Sequence, residues 1–212
     1  MLVFDCETIP INKEDLTTKQ QDYLMKKLTQ AIKRDPDVDK TAKEGELRGT
    51  DPYLGRIICI GMYWPQKAKA LSITNDDEQS ILQTFWNLLV GETGPFIGYN
   101  TLKFDIPFII RRSMHYGIPP TCPAFLQYTK YDPTPVHYDM LIVLSGGREN
   151  YYSLHEACDF FGVASPKEGG IVASQVAEFY HAGKIQEIAD YCLRDVQSTY
   201  ELYQKAKPFY SK

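Results

Sequence analysis

The chain opens with MLVFDCETIP, a short apolar run that carries two carboxylates two residues apart. In a β-strand alternate side chains share a face, so Asp5 and Glu7 point one way while Phe4 and Cys6 point the other. The apolar neighbours predict a central strand, where paired carboxylates are costly unless a positive group lies between them. Hard oxygen ligands on a rigid strand suit Mg²⁺ or Mn²⁺, and a solvated strand face is the alternative that this stretch leaves open.

Composition bounds the size and charge of the domain. The 212 residues are 43% hydrophobic, which is enough for one sizeable core and predicts a single domain over 1–212. The net charge of −4 provides no general attraction to nucleic acid, so any basic contact surface must be local.

The cysteines and the apolar runs bear on the cellular compartment. The five cysteines are odd in number and far apart, with no Cys-x-x-Cys pair, which fits neither a zinc site nor a disulfide framework. We therefore expect buried, reduced cysteines in a cytoplasmic protein. The N-terminus lacks the basic stretch of a signal peptide, and the apolar runs are far shorter than a membrane span, so no membrane contact is expected.

A polar and highly charged segment separates the first strand from the next one. It covers about 10–55, and we interpret it as an insertion, either a lid or a disordered surface excursion. Apolar residues at helical spacing predict a helix over about 18–34. The part around 35–55 has the composition of a mobile loop.

The remaining chain alternates strand-like and helix-like segments. Apolar runs predict strands over 56–64, 69–73 and 96–99, and a strand or extended segment from Tyr138 to Leu144. Apolar stripes and capping residues predict helices that begin near 75–77 and cover 105–116, 153–161, 171–181 and 184–206. This order predicts an α/β fold with a mixed sheet flanked by helices.

Two further acidic residues stand at the ends or faces of predicted elements. Asp105 follows a short strand and opens a helix, where an acid is more often a cap than a ligand. Tyr191 and Asp195 are four residues apart on one helix face that borders the core. Taken alone, Asp195 is best explained as a surface acid paired with Arg194 or Lys184.

Together the three acidic elements resemble a known superfamily. The order Asp-x-Glu, Asn-x-x-x-Phe-Asp and Tyr-x-x-x-Asp is similar to that of the DEDD 3′–5′ exonucleases, which have an RNase H-like fold. The resemblance covers nearly the whole chain and is strongest to the exonuclease domain of family B DNA polymerases and its free-standing relatives. Asp190 stands where one branch of the superfamily has histidine, so Tyr191 indicates the tyrosine branch. None of the chain's histidines occupies that place.

The resemblance implies catalytic residues and cofactors. Two divalent cations, Mg²⁺ or Mn²⁺, would be held by four carboxylates, namely Asp5, Glu7, Asp105 and Asp195. Tyr191 would orient the attacking water or accept its proton, and the first of these roles is favoured because a free phenol titrates near pH 10. The expected reaction removes nucleoside 5′-monophosphates from the 3′ end of DNA, most plausibly single-stranded DNA.

Residues that contact the substrate are expected near these acids. The candidates are Thr8, Asn100, Phe104 and Lys167, with further positive charge from Lys103, Arg111 and Arg112. Phe104 is equally well explained as a buried residue, Asn100 as a turn residue and Lys167 as a solvated loop lysine. Asp139 either supports the site or caps the segment that follows it.

The sequence leaves several alternatives open. RNA is a possible substrate, because discrimination rests on contacts to the 2′-hydroxyl that no motif here reports. A non-catalytic nucleic-acid-binding relative and a phosphatase with an aspartyl nucleophile at Asp5 are the other classes. A non-catalytic relative would have lost a metal ligand, whereas all four carboxylates are present here. The phosphatase alternative leaves Tyr191 and Asp195 unexplained. A role in DNA repair or end trimming and proofreading in trans are all left open, and no motif indicates a protein partner.

Overall fold

The computed structural model describes residues 1–129, 136–146, 151–166 and 170–210, and a five-stranded mixed sheet forms its centre. The strands are β1 (Leu2–Pro10), β2 (Gly55–Trp64), β3 (Lys69–Thr74), β4 (Phe96–Gly98) and β5 (His137–Asp139). Their order in the sheet is β3-β2-β1-β4-β5. The first three strands pair antiparallel, and β4 and β5 run parallel to β1. The predicted α/β fold with a mixed sheet is confirmed, and it is consistent with the RNase H-like fold.

Eight α-helices surround the sheet in the described part of the chain. They are α1 (Thr18–Arg34), α2 (Lys40–Thr50), α3 (Glu78–Leu88), α4 (Asp105–His115), α5 (Met140–Ser145), α6 (Leu154–Phe161), α7 (Val176–His181) and α8 (Ile185–Tyr210). Ser153 and Glu156 form the predicted capping box of α6, and Gly162 ends that helix in the left-handed conformation. Among these helices, none has the length and apolar character that a membrane crossing requires.

The alternation of β1 distributes its side chains between two cores. Leu2, Phe4 and Cys6 belong to the core that packs against α3 and α4. Val3 and Ile9 face the other side of the sheet, where they pack with residues of α8. Asp5 and Glu7 share the parity of Val3 and Ile9, so the strand directs its two carboxylates towards α8, as the pattern of apolar and acidic residues predicts.

The expectation of a mobile loop over about 35–55 is wrong for its central part, which forms α2. Asp39 caps this helix by accepting hydrogen bonds from the backbone N–H groups of Thr41 and Ala42. The Thr8 hydroxyl donates to the Gly49 carbonyl oxygen at 2.7 Å, which ties α2 to β1. The charged composition of this segment suggested a solvated loop. The hydrogen bond that fixes α2 to β1 could not be inferred from the sequence.

The segment from Tyr138 to Leu144 is extended only at its start. β5 ends at Asp139, and α5 begins at the next residue. The Asp139 carboxylate accepts a hydrogen bond from the Leu141 N–H at 3.1 Å and so caps α5. The expectation of a strand or extended segment is therefore wrong from Met140 onward, because the Asp139 cap favours a helix there.

Helix α8 approaches the sheet closely at one glycine. Gly61 lies beside Asp5 in the β1–β2 register. A Cβ atom added at Gly61 would stand 2.8 Å from the Cys192 Sγ and 3.2 Å from the Val196 Cγ2, so no larger residue fits without displacing the helix. The missing side chain therefore sets the distance between α8 and the strand that carries Asp5.

A buried ion pair fixes α4 against the rest of the fold. Glu78 at the start of α3 accepts hydrogen bonds from the Ile57 N–H in β2 and from the Arg112 guanidinium of α4, at 2.7 Å and 3.0 Å. The Tyr116 hydroxyl donates to the same carboxylate at 3.0 Å. Because Asp105 is the first residue of α4, this pair helps to hold Asp105 in place.

The substitution Glu78→Ala should lower the free energy of unfolding by about 3–5 kcal/mol, because it leaves the Arg112 guanidinium buried without its carboxylate. Urea denaturation followed by circular dichroism measures this change. The control is Glu187→Ala, which breaks a solvent-exposed pair with Lys184 and should cost less than about 1 kcal/mol. Equal losses for the two variants would contradict the structural role of Glu78.

Candidate functional site

Three potential ligand atoms meet where α8 packs against β1. One carboxylate oxygen from Asp5, one from Glu7 and the Sγ of Cys192 all lie within 4.8 Å of one another. Glu7 is 8% exposed, and in the described part of the chain its carboxylate accepts no hydrogen bond. The Cys192 thiol donates to the Asp5 Oδ2 at 3.5 Å. A hydrogen bond with Cys59 and burial keep the pKa of the Cys192 thiol well above its ordinary value, so without an ion it is a protonated and weak donor.

Asp105 reaches the same region from the other side of β1. It is 2% exposed, and its Oδ1 accepts the Cys6 backbone N–H at 2.9 Å. Asp105 is not the cap of α4, because Phe104 occupies the N-cap position and makes no capping bond. The alternative of an ordinary capping residue is therefore wrong, and the carboxylate is directed across the sheet to the strand that carries Asp5.

The turn that precedes Asp105 is held by a second buried carboxylate. Asn100 is in the left-handed conformation, with a φ of 62°. Asp139 accepts the backbone N–H groups of Asn100 and Leu102 at 2.8 Å and 3.0 Å. Asp139 thus supports the site and also caps α5, so the two roles left open for it occur together. Asn100 shapes the turn, as the simpler of its two explanations predicts.

Helix α8 contributes Tyr191 and Asp195. Both are buried, at 7% and 9% exposure, as their shared helix face predicts. The explanation of Asp195 as a surface acid is therefore wrong. Its Oδ1 is fully buried and has no hydrogen-bond partner among the described residues. A buried carboxylate oxygen without a donor is costly, and this one therefore marks a place where a positive group fits.

The four carboxylates perturb one another. Burial and the charges of Asp105, Glu7 and Asp195 raise the pKa of Asp5 well above its ordinary value. Burial and the charge of Asp195 have the same effect on the pKa of Glu7. Burial raises the pKa of Asp105 and of Asp195 to about 7. The residues therefore form one electrostatic cluster, although they are far apart in the sequence.

This cluster fits divalent cations. Oxygen donors on rigid elements suit Mg²⁺ and Mn²⁺, and a cation would offset the repulsion that raises the pKa values. The buried Oδ1 of Asp195 and the carboxylate of Glu7 provide oxygens with no competing hydrogen bond in the described residues. Asp5, Glu7, Asp105 and Asp195 are the residues that would hold the ions.

Two of the four predicted substrate-contact residues line a cavity that includes Glu7. Thr8 and Phe104 lie on the wall of this cavity, which has a volume of about 570 Å³. A second cavity of about 390 Å³ is lined by Tyr191 and Asp195. Ala173 and Ser174 line both cavities, so the two spaces adjoin there, with Glu7 on the wall of the first and Asp195 on the wall of the second. Lys167 lies outside the described residues.

The predicted positive charges differ in their surroundings. The expectation that Arg112 contributes charge to the substrate is wrong, because it is 6% exposed and paired with Glu78. The Lys103 ammonium donates to the Tyr151 hydroxyl at 3.1 Å and lies 4.2 Å from the centre of that ring. Arg111 is exposed and lines a separate cavity of about 870 Å³.

Sequence reasoning missed three contributors to the site. Cys192 is adjacent to Tyr191, and its helical spacing from Ile188 gave a signal for burial but none for contact with Asp5. Gly61 stands in an apolar strand, where an isolated glycine signals a close approach. The residues of α2 border the cavity beside Glu7, and nothing in their charge pattern indicates this.

Comparison with known proteins provides one match. Residues 53–212 match a family described as predicted 3′–5′ exonucleases related to the exonuclease domain of PolB. The matched range contains Asp105, Tyr191 and Asp195, whereas β1 with Asp5 and Glu7 precedes it. No curated protein matches the chain.

The raised pKa values determine how stability depends on pH in a chelator. An acid whose pKa is raised in the folded state binds a proton there that the unfolded chain has already released. Stability is therefore highest at low pH and is lost as pH rises through the folded-state pKa. For Asp105 and Asp195, whose pKa rises from the ordinary 3.8 to about 7, the loss begins near about pH 4 and is nearly complete by about pH 7.5.

In EDTA the free energy of unfolding should fall by on the order of 1 kcal/mol per pH unit for each of these two groups between about pH 5 and 7. Asp195→Asn should remove part of that slope and raise stability at pH 8.5, because the amide carries no charge. Asp190→Asn on the exposed face of α8 is the matched control and should leave the slope unchanged. Urea titrations at each pH measure the slope, and a wild-type protein that gains stability over this range would contradict the cluster.

Proposed function

Because the chain belongs to the family of predicted 3′–5′ exonucleases related to the exonuclease domain of PolB, we propose that it is a metal-dependent exonuclease acting on single-stranded DNA. The observation that carries this proposal is the convergence of four carboxylates, three of them buried and one partly buried, with one buried oxygen left without a donor among the described residues. The expected product is a nucleoside 5′-monophosphate, released stepwise from the 3′ end.

Three elements of the fold carry the four carboxylates in this proposal. Asp5 and Glu7 lie on one face of β1, Asp105 lies at the start of α4 and Asp195 lies on α8. The cations that they bind would supply an activated water and would neutralise charge on the phosphate oxygens. The chain's own contribution is to hold the scissile phosphate beside the cluster and to keep the ligands on rigid elements.

Tyr191 serves as a positioning residue for the attacking water in this proposal. Burial and the charges of Asp195, Glu7 and Asp5 raise the pKa of its phenol, so the hydroxyl stays protonated at neutral pH. A protonated phenol donates a hydrogen bond and orients a neighbour, but it does not accept a proton. This supports the first of the two roles expected for Tyr191.

The shape of the site supports a single strand as the substrate. The cavity beside Glu7 has a volume of about 570 Å³, within the range of about 300–1,000 Å³ that suits small ligands. A space of this size accepts an unpaired nucleotide and excludes a duplex. It does not separate DNA from RNA, so an exoribonuclease is the alternative that the assay must test.

The variants Asp5→Asn, Asp105→Asn and Asp195→Asn should each lower nuclease activity by more than about a hundredfold, because each removes a charge that binds the cations. The assay follows 5′-labelled DNA and RNA oligonucleotides with Mg²⁺, Mn²⁺ or EDTA. Laddering from the 3′ end, dependence on the cation and full activity of the control Asp190→Asn are expected. Binding of the strand without cleavage in any cation would instead indicate a non-catalytic relative.

Tyr191→Phe should lower kcat by about ten- to hundredfold, as expected for loss of a positioning group, and should leave KM nearly unchanged. The ring keeps its packing, so the melting temperature in Mn²⁺ should match that of the wild type. Steady-state kinetics from pH 6 to 9 provide the test. A loss of about 10⁴-fold together with disappearance of the rise in kcat with pH would identify Tyr191 as the base instead.

A further inference from the structure

Helix α2 forms one wall of the cavity that contains Glu7. Ala42, Gly45, Glu46 and Gly49 recur at helical spacing and line this space. Phe104 borders the same cavity from the start of α4. This wall comes from residues that precede the family match, which begins at residue 53.

The wall is fixed to the sheet rather than free to swing away. The Thr8 hydroxyl donates to the Gly49 carbonyl oxygen at 2.7 Å, next to Glu7 on β1. The Arg48 guanidinium donates to the Ile11 carbonyl oxygen just beyond that strand. The segment is further packed by a small core of Leu16, Leu24 and Leu54. Helix α2 therefore holds a defined position against the carboxylate cluster, and the interpretation of this segment as a disordered excursion is wrong.

Gly45 leaves the space open. A Cβ atom added there would meet no other atom within 4 Å, so a side chain at this position would extend into unoccupied volume. Glycine in a helix interior costs stability relative to alanine, and Gly45 makes no close contact that would require it. Because Gly45 has no side chain, it leaves this part of the cavity open.

A buried polar group is directed into the same space. Glu7 lines the cavity, is 8% exposed and accepts no hydrogen bond from the residues that the structure describes. This side chain connects the cavity to the carboxylate cluster, where the scissile phosphate would lie. A ligand in the cavity would therefore lie next to the carboxylate cluster and the scissile phosphate.

The lining identifies the part of a nucleotide that fits. Within the described residues, neither lysine nor arginine lines the cavity, whereas Glu46 does. Among the described residues a phosphate would find no cation on this wall, and Glu46 is itself paired with Lys43 at 2.7 Å. A base and its sugar would meet Ala42, the Gly45 backbone and the Phe104 ring. Aromatic side chains stack on bases without regard to sequence.

We propose that α2 and Phe104 enclose the base and sugar of the unpaired terminal nucleotide, and that Gly45 determines whether this nucleotide can enter. The proposal deepens the proposed function and depends on it for the nature of the ligand. It makes the segment before the matched range a determinant of substrate choice, which the family match alone does not indicate.

The test fills the cavity from α2 with Gly45→Leu and Gly45→Phe. Both residues favour a helix more than glycine does, so the variants should fold, and thermal melting with and without Mn²⁺ verifies this. For a single-stranded oligonucleotide, kcat/KM should fall at least tenfold more than for bis(4-nitrophenyl) phosphate, which carries no nucleoside. Gln30→Phe adds the same ring at an exposed position of α1 and should leave both activities unchanged. Equal kinetics of wild type and Gly45→Phe would overturn the inference.

Binding separates this inference from the proposed function. The Kd of a 5′-fluorescein oligonucleotide is measured by anisotropy in Ca²⁺, and it should rise at least tenfold for Gly45→Phe. A wild-type protein that binds the strand but cleaves neither substrate would overturn the proposed function alone. Equal Kd values for wild type and Gly45→Phe would overturn the inference whether or not the protein cleaves DNA.

Discussion

Confinement of four neighbouring carboxylates away from water, together with the repulsion among them, is the constraint on which the rest of the structure depends. Asp5, Glu7, Asp105 and Asp195 come from three elements, and burial raises the pKa of each of them, with the charges of neighbouring acids adding to the effect. Such an arrangement destabilises the fold in the absence of a positive group. Packing elsewhere in the fold is strong enough to hold the four acids together. Bound cations would neutralise their charges and so stabilise the arrangement.

Three features outside the four carboxylates hold this geometry. Gly61 lets α8 approach β1, the Glu78–Arg112 pair fixes α4, and Asp139 holds the turn that precedes Asp105. Each of them is a buried contact between elements, and none touches the space where a phosphate would lie. Helix α2 adds a wall to this frame, so it shapes the site without supplying a carboxylate to the cluster.

The fold class and the central acids could be predicted from the sequence because they depend on local periodicity. Alternation placed Asp5 and Glu7 on one face, and helical spacing placed Tyr191 beside Asp195. The resemblance of the three motifs to those of the DEDD exonucleases then indicated that their acidic residues lie close together. The position of α2, the contact of Cys192 with Asp5 and the burial of Arg112 could not be predicted, because each depends on a tertiary neighbour. Arg112 illustrates this best, since its charge suggested a substrate contact until its partner Glu78 was known.

The most direct test of the central claim is the location of bound ions. Crystals grown with Mn²⁺ and a nucleoside 5′-monophosphate allow an anomalous difference map to place the metal independently of any assay. The account predicts peaks within bonding distance of the Asp5 and Asp195 carboxylates, with the nucleotide base between α2 and Phe104. Crystals that hold the nucleotide yet show no anomalous peak at the four carboxylates would contradict it.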